Sequence, residues 1–348
     1  YNICTGVFTA LGDSRTPLLW DFDAITEVTA YPVDAAVLTV RGGRFTTIAN
    51  QASSNYNYFA RGIQIERSNV RVEGLEHHVI GEGETGAPYN GFIRVQRCAN
   101  VEVRNIVFSG RKTYSTIGAA GKPVTMGSYD LTLDRAVNAS IIGCTQVNDI
   151  DDARLWVVMG SNFCKNLLYE DCTLSRFDAH QGLFNGVIRR SRLRMINLIG
   201  GGTFRLEDSV VTGSRLISLR NDYGSTWQGD VIVRNTTLDP ADDRPRQTLS
   251  LIGGRNDGSH DFGYPCSMPH RIELDNVRIQ DLPATESYRG PVLFGDFGIG
   301  SSAAKFPYAP TREVLIKDVT TASGLPLRIS DQPDVFADSK IAKTFSTD

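Results

Sequence analysis

Three segments, Asn138-Ala-Ser-Ile-Ile-Gly-Cys-Thr145, Asn166-Leu-Leu-Tyr-Glu-Asp-Cys-Thr173 and Asn185-Gly-Val-Ile-Arg-Arg-Ser-Arg192, can be laid one on another. Each starts at Asn, runs through alternating apolar positions and reaches a small residue (Cys144, Cys172, Ser191) at the same offset. Alternation with period two is the mark of a half-buried strand. The loops between the segments are crowded with chemistry: Asn148-Asp-Ile-Asp-Asp-Ala-Arg154 and Arg176-Phe-Asp-Ala-His180-Gln-Gly.

Working outward, the template recurs from Val37, Asn69 and Asn100 on the amino-terminal side, and from Thr203, Asp230, Arg271 and Glu313 on the other. The steps run from roughly 18 to roughly 42 residues, in or near the range of solenoid periods. A constant strand with loops of free length excludes helix-pair repeats and disfavours a propeller, whose blades need four strands each. The expected fold is therefore all-β: a right-handed parallel β-helix, a single-stranded solenoid with irregular caps. The column Asn69, Asn100, Asn138, Asn166 and Asn185 fits tight turns, where Asn tolerates left-handed geometry and bonds neighbouring coils. One domain is expected over 1–348, with a cap at 1–34, coils over 35–324 and a second cap at 325–348.

A second column aligns Val124-Thr-Met-Gly, Val157-Val-Met-Gly, Ala179-His-Gln-Gly, Asn197-Leu-Ile-Gly, Ile217-Ser-Leu-Arg, Ser250-Leu-Ile-Gly and Val292-Leu-Phe-Gly. In that register Met126, Met159, Ile199, Leu219, Ile252 and Phe294 point inward. Gly127, Gly160, Gly182, Gly200, Gly253 and Gly295 form an outward column broken by Arg220. Turn formation explains such glycines; a side-chain-free floor for an extended ligand is the functional reading.

Composition narrows the function. The net charge of −3 argues against non-specific nucleic-acid binding, and no apolar run nears the ~20 residues of a membrane-spanning helix. The six cysteines show no zinc-type spacing. For Cys144 and Cys172 both stacked buried thiols and an inter-coil disulfide are compatible with the shared offset.

The Asn-led strands resemble the pectin-lyase-like superfamily of right-handed parallel β-helices, over roughly Val37 to Gly324. That superfamily includes polygalacturonase-type hydrolases, polysaccharide lyases, mannuronan epimerases and phage tailspikes. Asn148-Asp-Ile-Asp-Asp152 is similar to the acidic coil of polygalacturonases, and Phe177-Asp-Ala-His180 to the Asp-Pro-His element of the epimerases, with Ala179 in place of Pro. The resemblance implies an extracellular glycan as substrate and a secreted or cell-surface protein.

Two neighbouring clusters carry the expected chemistry. Asp149, Asp151 and Asp152 lie within four positions beside Arg154, and close like charges separate carboxyl pKa values into acid and base roles. A solvated turn or a bound calcium ion is the alternative, although the spacing is not that of an EF-hand. Arg176, Asp178 and His180 follow, with Asp178 placed to orient the imidazole. For hydrolysis, Asp152 and Asp178 form the expected carboxyl pair, with Asp151 supporting. For β-elimination or epimerisation of a uronic acid, His180 is the base and Arg154, Arg176 or Arg220 neutralises the carboxylate. Substrate contacts are expected from Arg154, Arg176, Arg220, Asp222, Arg255 and Asp257, with Trp227 and Tyr264 stacking on sugar rings. Hydrolysis is the leading expectation and a non-catalytic glycan-binding or tailspike-like module, trimeric in that case, the third. No cofactor is required.

Overall fold

The computed structural model describes residues 23–48, 59–60, 62–81, 89–90, 92–109, 111–112, 114–117, 121, 123–126, 129–152, 155–156, 158–258, 266–297, 308–332 and 336–344. The expectations for Arg154, Gly127 and Tyr264 lie outside these residues, as do those for the side chains of Met126 and Met159. The described chain is nearly all β, relieved by a single-turn 3-10 segment at Asn221–Tyr223. It divides into two compact units, 1–172 with 183–186, and 173–182 with 187–348.

In the first unit, strands Leu38–Ile48, Val70–Ile80, Ala99–Arg104, Val137–Ile142 and Cys164–Glu170 pair in parallel in that order. The register Leu38, Val70, Val101, Ala139, Leu167 is the one the repeated segments require. Alternation explains it: Val70, Val72, Val101, Val103, Ile141, Leu167 and Tyr169 are buried. Their neighbours Arg71 and Glu102 face out and pair across strands at 2.9 Å. A one-residue slip would turn each of these apolar rows to water. A second column of strands stacks Ile63, Ile93, Leu131 and Met159 in register.

The Asn column folds as a side-chain ladder. Asn69, Asn100, Asn138, Asn166 and Asn185 all adopt φ between 55° and 60°. Each amide donates to the preceding one: Asn100 to Asn69 at 2.9 Å, Asn138 to Asn100 at 3.2 Å, Asn166 to Asn138 at 2.9 Å and Asn185 to Asn166 at 3.0 Å. Asn serves because it tolerates the left-handed region and carries both donor and acceptor. Cys144 and Cys172 are free, buried thiols. Cys144 donates toward the Val103 carbonyl and Cys172 toward that of Ile141, so the inter-coil disulfide is not formed. The Cys172 hydrogen bond and burial push the Cys144 thiol well up, which leaves it inert.

The second unit repeats the architecture. Thr203, Asp230, Arg271, Glu313 and Lys340 stand in register along parallel strands Gly200–Glu207, Trp227–Leu238, Arg271–Ile279, Glu313–Thr321 and Lys340–Thr344. Asn276, Asn235 and Asp208 form a second ladder, with both bonds at 2.9 Å. Gly229 is needed where two strands nearly touch: a Cβ there would lie 2.0 Å from the Gly202 carbonyl oxygen. Parallel pairing extends beyond Gly324, since Arg328–Ser330 pairs with Val292–Gly295 and Lys340–Thr344 with Glu313–Thr321. Each unit is a parallel, solenoid-like stack.

The other face of this unit corrects the register of the second column. Asp178 pairs with Asn197, Asn197 with Ser218, Ser218 with Gly253 and Gly253 with Gly295. The inward row is accordingly Phe177, Ile196, Ile217, Ile252 and Phe294, all buried, because the largest apolar side chains take the interior. Only the Ser250-Leu-Ile-Gly and Val292-Leu-Phe-Gly segments keep the expected alignment. Gly200 belongs to the next strand, opposite Trp227.

Candidate functional site

The strand Thr173–Asp178 ends one residue before Ala179, whose N–H donates to the Asn197 carbonyl at 2.9 Å. Phe177 and Ala179 point into the core and are fully buried. By alternation Asp178 and His180 project the other way, although His180 lies past the strand rather than on it. Two arginines converge on Asp178. Arg220 Nη1 donates to Asp178 Oδ1 at 3.0 Å, and Arg176 Nη2 lies 3.3 Å from Oδ2. Arg220 also holds Asp222 through Nε at 2.9 Å and Nη2 at 3.2 Å, a two-pronged contact.

Asp178 is 1% exposed. Burial acts to raise its pKa, but Arg220, Arg176 and His180 outweigh it and hold the carboxyl below its usual range. It is an ionised anchor. His180 is half-buried, and burial followed by the Arg220 charge lowers its pKa to about 4 against the pull of Asp178 and Asp222. The imidazole is therefore neutral near pH 7. The cluster joins a neutral base to two guanidiniums oriented by carboxylates.

Asp151 and Asp152 are half-buried in a turn of the first unit. The Asp151 N–H donates to Asp149 Oδ1 at 3.0 Å and the Asp152 N–H points at the Asp149 carbonyl at 3.4 Å. Asp149 thereby shapes the turn, with Ile150 as its buried anchor. Among the described residues, no three or more His, Cys, Asp or Glu side chains group as a metal ion would require, and no helix is long and apolar enough to cross a membrane.

Trp227 is corrected from sugar-stacking residue to core residue. It is 0% exposed, packs edge-on against Phe204 at 5.9 Å, and its indole N–H donates to the Asp230 carbonyl at 3.2 Å. Arg255 and Asp257 are exposed. Asp257 accepts from Asn221 Nδ2 at 3.0 Å, which ties the two Arg-Asn-Asp segments together.

No protein-family model and no curated protein matches the chain. Function therefore rests on the site itself. One signal in the sequence bears on it directly: between Thr173 and Arg220 there are eight arginines and three acidic residues, in a chain whose net charge is −3. Whole-chain charge conceals this basic stretch.

The glycine column is also filled from within. A Cβ at Gly253 would lie 2.8 Å from Arg215 Cδ, and one at Gly295 would lie 2.6 Å from Ser250 Cβ. Arg215 lies over this ground, paired with Asp296 and donating to Ser250 Oγ at 3.1 Å. Beside it opens a cleft of about 290 Å³, bordered by Arg215, Thr248, Ser250, Asp296, Asp331 and Gln332 among others. Gly253 makes room for Arg215, and Gly295 for Ser250.

Proposed function

We propose that the chain is a right-handed parallel β-helix of the pectin-lyase-like type, secreted or at the cell surface, that cleaves a uronic-acid polysaccharide by β-elimination. The observation that carries this reading is the state of the Arg176–Asp178–His180–Arg220 cluster. Asp178 has both carboxylate oxygens engaged by arginines and is closed to solvent, so it is badly placed to donate a proton or attack a sugar. His180 is neutral and half-buried, which is the protonation state from which a general base starts. The eight arginines of this stretch favour an anionic ligand.

In this reading a uronate carboxylate docks against the guanidiniums of Arg176 and Arg220, which stabilise the negative charge that develops when the adjacent C–H bond breaks. His180 takes that proton, the bond to the glycosidic oxygen breaks, and a C=C bond remains in the sugar. The imidazolium then returns its proton to the departing oxygen. Asp178 and Asp222 fix the guanidiniums. The protein needs no cofactor for these steps, and its partner is the polysaccharide rather than nucleic acid or membrane.

The test is incubation with polyuronates and neutral polysaccharides while reducing ends and ultraviolet absorbance of unsaturated sugars are followed together. Elimination yields both signals on polyuronates. Reducing ends alone would favour hydrolysis over elimination, and specific binding without either signal would make the chain a recognition module.

A further inference from the structure

In the first unit, far in sequence from the arginine cluster, three side chains stand in a line. Strand Leu38–Ile48 pairs with Val70–Ile80 so that Phe45 lies opposite His77 and Thr47 opposite Val79. His77 Nδ1 is 2.8 Å from Asp130 Oδ2, and His77 Nε2 is 2.8 Å from Thr47 Oγ1. His77 and Asp130 are 3% and 1% exposed. The same Asp130 oxygen accepts the Ser109 N–H at 2.9 Å. An acceptor carboxylate on one side fixes the tautomer: Nδ1 carries the proton and Nε2 is left to accept from the Thr47 hydroxyl.

The imidazole is also clamped. It stacks on Phe92 with centroids 4.5 Å apart and planes 8° from parallel, and Phe92 packs on Phe45 at 5.1 Å. Gly62 lets the backbone pass: a Cβ there would fall 2.2 Å from the Phe92 carbonyl oxygen, and its φ is +101°. Satisfying a buried histidine would explain the hydrogen bonds alone. It would not explain the cavity of about 390 Å³ that opens on the half-buried Thr47, lined by Phe45, Thr46, Thr47, Ile48, Gly62 and Phe92. Nucleophile, base and orienting carboxylate are joined by hydrogen bonds beside a largely apolar cavity, which is the arrangement covalent acyl transfer uses.

We propose that Thr47, His77 and Asp130 form an esterase site for carboxylic esters with a small apolar acyl or aryl group. Thr47 Oγ1 attacks the ester carbonyl carbon as His77 Nε2 takes its proton. The tetrahedral adduct expels the alcohol, which receives that proton from His77, and an acyl-threonine ester remains. Water, activated by His77 in the same way, cleaves this ester, releases the carboxylic acid and restores the Thr47 hydroxyl. Asp130 orients the ring through its hydrogen bond to Nδ1.

The experiment uses the full chain with p-nitrophenyl acetate, and a fluorophosphonate probe followed by peptide mass mapping. Saturable p-nitrophenolate release is expected, with the probe on Thr47. Thr47→Ala and the near-isosteric Thr47→Val should each lower kcat/KM at least ~100-fold with unchanged circular dichroism, and Thr47→Ser should retain turnover. No turnover above buffer, a label elsewhere, or parental rates in Thr47→Val would overturn the proposal. None of these outcomes depends on the fate of polyuronates.

Discussion

At the residue scale the account turns on Asp178 and His180, and their ionisation makes it testable by pH. The folded-state pKa of His180, about 4, lies below its unfolded value near 6.5. Between those values the unfolded chain binds the extra proton, so stability falls as pH drops from about 6.5 to about 4, by roughly 3 kcal/mol at most. Asp178 has a lowered pKa as well; its stabilisation is present above the usual Asp value and is lost as pH falls through the folded one. Urea melts of the parent and of His180→Gln from pH 7 to pH 4 should converge, the variant lacking the loss seen in the parent. Parallel curves would refute the lowered pKa. Asp178→Asn removes the buried negative charge between Arg176 and Arg220, Arg220 keeping Asp222, and should cost about 3 kcal/mol, measurable from the same melts. His180→Gln should lower elimination at least ~100-fold while leaving polyuronate binding nearly intact.

At the scale of the element, the rung is what the sequence made legible. Alternation, with Asn at the head of the earlier segments, predicted the registers Val70–Val101–Ala139–Leu167 and Thr203–Asp230–Arg271–Glu313, all of which are observed. The second column was legible only at Ser250–Gly253 and Val292–Gly295. Its strands are as short as Ile217–Leu219, and a triplet flanked by Gly or Arg has too few alternating positions to exclude a slip of one or two. Asp178 and His180 were singled out through that column, yet they share a face because alternation also holds in the observed register. Trp227 was misjudged because an aromatic beside Gly and Asp reads as a loop residue, whereas its indole N–H finds the Asp230 carbonyl and lets the ring go inside. Thr47, His77 and Asp130 could not be found by spacing at all, since they come from three distant segments joined only by folding. The ladder carries its own prediction. Asn138→Ala forces φ 56° on alanine and removes the bonds to Asn100 and Asn166, a cost of about 2–4 kcal/mol. Asn138→Gly, relieved of the backbone strain, should cost less. Equal costs for the two would mean that the left-handed turn contributes nothing.

At the scale of the molecule, both units are built from one repeating rung, while charge is distributed unevenly along the chain. The acidic residues are spread over many rungs, whereas arginine gathers between Arg176 and Arg220. An anionic chain that meets this stretch is attracted despite the overall charge of −3. Polyuronate binding should accordingly weaken several-fold between about 0.05 and 0.5 M salt, as expected for screened surface charge, whereas a neutral glucan should show no such dependence in a titration. Salt-independent binding of polyuronate would shift recognition away from the arginines. The most direct measurement of the central claim is the paired assay on a polyuronate. New reducing ends together with ultraviolet absorbance from unsaturated sugars, both lost in His180→Gln, are expected; reducing ends without that absorbance, or undiminished activity in His180→Gln, would rule out elimination with His180 as the base.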